Sequence, residues 1–165
     1  LISALPALAA GAATDPGQGI SPLDTDPVGL RAAIDLPPGL AVPENGVTLR
    51  MEALRDELDA ELSGVFALIP GTEAERDIFR VADADLPAVR ALQARIREWE
   101  TTAPDETSGS YAISVAACPI GDGPGADAVM TVWITPGNGA PLTPVAQNVA
   151  VESAIGIAAD KGICG

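Results

Sequence analysis

Apolar and polar residues alternate with a period of two in several runs of this chain, and nothing else in it constrains the fold as strongly. Leu30, Ala32, Ile34 and Leu36 fall on one side of a run whose other side is Arg31, Ala33 and Asp35. Val47, Leu49, Met51 and Ala53 alternate in the same way with Thr48, Arg50 and Glu52. Tyr111, Ile113, Val115 and Ala117 alternate with Ser114, Ala116 and Cys118, and Ala128, Met130, Val132 and Ile134 with Thr131, Trp133 and Thr135. Successive side chains of a strand point to opposite faces, so each run reads as a strand with one face buried. Turn residues end the runs: Pro37-Pro38-Gly39, Pro43-Glu44-Asn45-Gly46, Pro70-Gly71, the stretch 119–125 and Pro136-Gly137-Asn138-Gly139. The chain holds 17 glycines and 15 prolines, a punctuation that suits short strands better than a helical bundle. Asn45-Gly46 is a hairpin signal, because both residues tolerate positive φ. The stretch 119–125 reads as the turn of a second hairpin.

Three further segments complete the reading. Leu54, Leu58 and Leu62 lie four apart, as on a helix face. Leu58, Ala60 and Leu62 also alternate with polar residues and run into Val65-Phe66-Ala67-Leu68-Ile69, so we read a strand ending at Pro70-Gly71. Ile78 to Val81 is a short strand, and 145–157 reads as a last one, with Val145, Val149, Val151, Ile155 and Ile157 on one side. Residues 85–100 form the clearest helix: Asp83 or Asp85 caps it, Pro87 fits the first turn, and Val89, Leu92, Ile96 and Trp99 make an apolar stripe. Arg90, Arg97 and Glu100 lie away from that stripe.

These elements predict a mainly β protein: an antiparallel β-sandwich of six or seven strands with one crossover helix near 85–100. Tyr111 opens the strand after the helix, where an immunoglobulin-like domain places a corner tyrosine. The alternative is an α+β layer with the helix packed on one antiparallel sheet. At 165 residues there is room for one core. Residues 1–27 read as a leader or linker, largely extended, and 28–165 as a single β-rich domain. Aromatics are only 3% of the chain, so Val, Ile, Leu and Ala must fill the interior by close packing.

The opening Leu1 to Gly11 resembles the end of a signal peptide, with Ala7-Leu8-Ala9 as a small-x-small cleavage site. Cleavage further upstream at a lipid-modified cysteine, leaving an apolar tether, is a second reading, and a trimmed chain is a third. The segment is too short and interrupted to span a bilayer. Cys118 and Cys164, an even and sparing pair, predict one disulfide in an oxidising compartment. Eight arginines against the single Lys161, with abundant Ala, Gly, Pro and Asp, suggest a GC-rich bacterial genome. The expected location is therefore periplasmic or extracellular.

The net charge is −14, which repels phosphates and argues against nucleic acid or an anionic lipid surface as partner. There is no histidine, and this removes the Ser-His-Asp triad, the Cys-His dyad and the common catalytic zinc sets. No GxGxxG precedes a helix, and neither GxxxxGK[ST] nor GxSxG occurs. Carboxylate pairs remain, Asp83 with Asp85 and Glu98 with Glu100, as acid and base for glycoside chemistry. Calcium is the one cofactor the sequence suggests, at Asp83 and Asp85, at Asp122 and Asp127, or at Asp24-Thr25-Asp26. Helix capping by Asp85 and turn chemistry at Asp122 before Gly123 compete with that reading. Trp133 sits on the threonine side of its strand, either as an exposed docking residue or as a residue buried between two layers. The expected function is a non-catalytic envelope module that binds another protein or supports an assembly. A carbohydrate- or calcium-binding module and a carboxylate-dependent hydrolase are the rivals.

Overall fold

The computed structural model describes residues 22–71, 77–137 and 139–165. Among the described residues nine strands and two helices follow one another: β1 (Arg31–Asp35), β2 (Leu40–Ala41), β3 (Val47–Arg55), β4 (Ala60–Pro70), β5 (Asp77–Val81), α1 (Leu86–Thr102), β6 (Thr107–Val115), β7 (Cys118–Pro119), β8 (Val129–Thr135), β9 (Thr143–Ala150) and α2 (Glu152–Lys161). Seven strands form one curled antiparallel sheet in the order β6-β3-β4-β5-β1-β8-β9, and β2 pairs with β7 in a second, small sheet. The protein is thus mostly β, consistent with a β-sandwich-like fold carrying a helix.

The period-two runs determine which face is inside. Val47, Leu49, Met51 and Ala53 of β3 are fully buried and stand opposite Leu68, Phe66, Gly64 and Leu62 of β4. Ala32 and Ile34 of β1 continue that inner face toward Phe79 of β5 and Val132 and Ile134 of β8. Alanine fills the tightest places, with Ala33, Ala53, Ala116, Ala117, Ala154 and Ala158 all inaccessible. A core this poor in rings depends on such close approaches, since dispersion falls off within an ångström of contact.

Helix α1 crosses from β5 to β6 over the inner face of β4, β3 and β6. Its buried residues are Val89, Leu92, Ile96 and also Gln93. Gly64 makes room for it: a Cβ there would stand 2.8 Å from Leu92 Cδ2 and 3.0 Å from Phe66 Cζ. Pro87 occupies the first turn as expected, whereas Asp85 makes no side-chain capping bond. A short 3-10 turn over Asp83–Asp85 leads into α1 instead, and Asp83 bonds Arg80 at 2.8 Å.

Several local expectations are corrected. The strand read through 55–69 begins later: β3 runs on to Arg55, a 3-10 turn at Asp56–Leu58 and Asp59 at φ 46° reverse the chain, and β4 starts at Ala60. Leu54 therefore faces outward and Leu58 is 63% exposed in the loop. Asn45-Gly46 does make a tight turn, with Asn45 at φ 58° and Gly46 N–H donating to Pro43 C=O at 2.9 Å. It joins no hairpin, because β2 leaves to pair with β7. Nor do β6 and β8 pair: β6 lies beside β3 at one edge, while β8 pairs with β1 and β9. The strand read over 145–157 is β9 followed by α2. Ala154 and Ala158, four apart, are the buried side of that helix, and Gly162 at φ 62° ends it with its N–H on the carbonyls of Ala158 and Ala159.

The described residues upstream of Val28 are packed against the domain. Pro22, Leu23 and Pro27 are buried, and the Gln93 amide donates to the carbonyls of Pro22 at 2.7 Å and Thr25 at 2.8 Å. The leader-like residues 1–21 lie outside the described residues. No helix among the described residues is long and apolar enough to cross a membrane.

Candidate functional site

The predicted residues are distributed over the molecule. Cys118 and Cys164 form the expected disulfide, with Cα atoms 5.5 Å apart, tying the tail after α2 to β7. Asp122 and Asp127 are exposed in the long connection between β7 and β8. Asp83 and Asp85 occupy the turn before α1, and Asp24 and Asp26 lie in the segment packed against α1, where Asp26 accepts the N–H of Val28 at 3.1 Å and pairs with Arg90 at 3.4 Å. Among the described residues no group of three or more potential ligands is close enough to hold a metal ion.

Trp133 is half-buried, and its indole N–H donates to Asp35 Oδ2 at 2.8 Å. Its register neighbours are Ala33 of β1 and Pro144 of β9. Ala33 faces away from the main core yet is inaccessible, so this end of the outer sheet face has its own cover. The pairing of Trp133 with Asp35 ties that cover to β1.

Glu98 is exposed, but Glu100 is drawn inward. Gly109 of β6 lies beneath it, where an added Cβ would meet Leu23 Cδ1 at 2.8 Å and Glu100 Oε1 at 3.1 Å. Burial raises the Glu100 pKa above the ordinary glutamate value and the nearby Asp24 adds to the rise, while Arg97 opposes it. The signal missed in the sequence is the spacing of Gln93, Ile96 and Glu100, which share a helix face once residues 22–25 cover its flank.

Clefts open at the surface formed by the described residues. One of about 500 Å³ is lined by Thr25, Asp26, Val28, Arg31, Pro136 and Gly137. Its charged groups are bound to the fold: Arg31 donates to the carbonyls of Val28 and Leu30 at 2.8 and 3.0 Å. Another, about 740 Å³, is of mixed character, with Leu40, Leu68, Ile78 and Phe79 in its wall beside Glu44, Asn45 and Asp77.

The two edges of the large sheet are built differently. Strand β9 contains Pro144, shows register shifts against β8, and has Asn148 at φ 51°. Each feature spoils an edge as a template for another strand. Strand β6 has none of them: its nine residues, Thr-Ser-Gly-Ser-Tyr-Ala-Ile-Ser-Val, pair continuously with β3 and include neither charge nor proline. Ala116 N–H donates to Gly46 C=O and Asp56 N–H to Glu106 C=O at the ends of this ladder. Even-numbered residues therefore bond β3, and Gly109, Tyr111 and Ile113 direct their N–H and C=O groups to the open side. No described segment pairs with them there, and Ser108, Gly109 and Ser110 are exposed. Comparison with protein-family models, curated proteins and solved structures gives no match for this chain.

Proposed function

We propose that this protein is an exported, non-catalytic module of the bacterial envelope that binds another protein or supports an assembly there. The edge of β6, unpaired among the described residues, carries the reading: nine regular, uncharged residues with outward backbone groups are what strand-to-strand association requires. The disulfide supports an oxidising compartment, the periplasm or the cell exterior.

The test is photo-cross-linking inside the cell, with a photoreactive residue placed at Leu58, Val65, Ser110 or Val129 in turn. A discrete adduct from the envelope fraction at one or more positions is expected. Absence of any adduct, together with substrate turnover by the purified protein, would sink the proposal in favour of the carboxylate hydrolase. Glycan or calcium binding without a protein adduct would favour the rival binding module.

A further inference from the structure

We infer that the open edge of β6 receives an extended, basic segment of the partner protein as an added strand. This rests on the protein-binding reading above and names the face and the chemistry of the partner.

The backbone comes first. Gly109, Tyr111 and Ile113 turn six main-chain groups, three N–H and three C=O, away from β3 in register. An incoming strand that bonds them extends the sheet by one position, and small neighbours on the outer side (Ser108, Ser110, Ala112) let it approach closely. On the inner side Tyr111 and Ile113 are half-buried against the core, with part of each left to be covered. The added strand therefore presents apolar side chains at alternate positions on that side.

The charge selects the occupant. Carboxylates border both faces of β6: Glu52 accepts from Ser110 at 3.0 Å on the outer face, and Glu100 lies beside Gly109 on the inner face, near Asp24. Asp105 and Glu106 immediately precede the strand. Three guanidiniums stand among these groups, Arg50 pairing with Glu52 and Glu61, Arg55 with Glu106, and Arg97 near Glu100. Against them are the six carboxylates of Asp24, Glu52, Glu61, Glu100, Asp105 and Glu106, so the surroundings of a strand that itself has no charge stay acidic. A second copy of this chain, at −14, would bring more of the same sign, whereas lysine or arginine at the alternate outward positions would neutralise it.

The test uses the disulfide-intact protein and two synthetic peptides, one alternating Val and Lys and one alternating Val and Glu. Titration is followed through backbone amide signals. The Val-Lys peptide is expected to shift the amides of Gly109, Tyr111 and Ile113 first, and to bind less tightly as salt is added. The Val-Glu peptide should leave them in place. Ile113→Pro removes an outward N–H without touching the β3 ladder and should weaken binding about ten-fold. Should that variant fail to fold, Ala112→Lys places a like charge on the open edge and should weaken the Val-Lys peptide similarly. Equal binding of both peptides, or shifts confined to other strands, would overturn the inference. Cellular adducts formed from Leu58 or Val129 but never from Ser110 would overturn it too while leaving the protein-binding reading in place. No adduct anywhere, together with substrate turnover by the purified protein, would remove that reading itself.

Discussion

Glu100 and Gln93 show how one covered flank changes the chemistry of a helix. Both lie at the border of the α1 stripe, where the segment 22–25 buries Gln93 and partly covers Glu100. Because Glu100 has its pKa raised in the folded protein, its protonated form is the one folding favours, so its stabilising share is present at low pH and is lost as pH rises through the folded value. Glu100→Gln should therefore raise the melting temperature at neutral pH, with the gain shrinking to nothing once the medium is acid enough to protonate glutamate in the unfolded chain. Thermal melts of both proteins across mildly acidic to neutral pH check this. Gln93→Leu removes the donor to two backbone carbonyls and should cost about 1–3 kcal/mol in urea titrations, with proteolysis near residues 22–30 accelerated. Neither role was legible from periodicity alone. The partner that buries them lies some seventy positions upstream, in the stretch 22–25 that reads as linker because Pro22 and Pro27 interrupt any pattern.

The elements were legible where a single rule dominated. Residues 47–53 and 129–135 alternate against the core, 31–35 alternates too although Ala33 on its outer side is covered, and all three are strands. The stretch after 150 obeyed two rules at once: its isoleucines and valines alternate like a strand, while Glu152, Lys161 and Gly162 carry the charge and stop signals of a helix. Tertiary packing resolved it, since the Ala154–Ala158 face lets the main chain at Ala117 approach closely enough to donate to Ala154 C=O at 3.1 Å. Strand partners were not legible at all. Pairing depends on segments far apart in the chain, so Asn45-Gly46 produced its turn and no hairpin. The contact between α1 and β4 gives a test at this scale. Gly64→Ala pushes a methyl into Leu92 and should cost about 1–2 kcal/mol by denaturant unfolding. In that background Leu92→Ala should cost less than in the parent, because the new methyl takes up part of the vacated space.

At the scale of the molecule, the curled sheet and its two helices are closed by one covalent link between positions 46 apart. Replacing both Cys118 and Cys164 by serine should lower stability by about 4 kcal/mol on the chain-entropy model, read from the shift in denaturation midpoint. The pairing itself was legible from the count of two cysteines; that it binds a helix to the small sheet was not, because α2 read as strand. The same link also sets where the molecule gives way under tension. A pull applied at Gly165 enters the fold at Cys164 and passes directly to Cys118, so β8, β9 and α2 lie off the load path. Stretched between residue 22 and its C-terminal residue, the chain should come out short of its full contour length by the span of that ring, and reductant should release the remainder as a separate step.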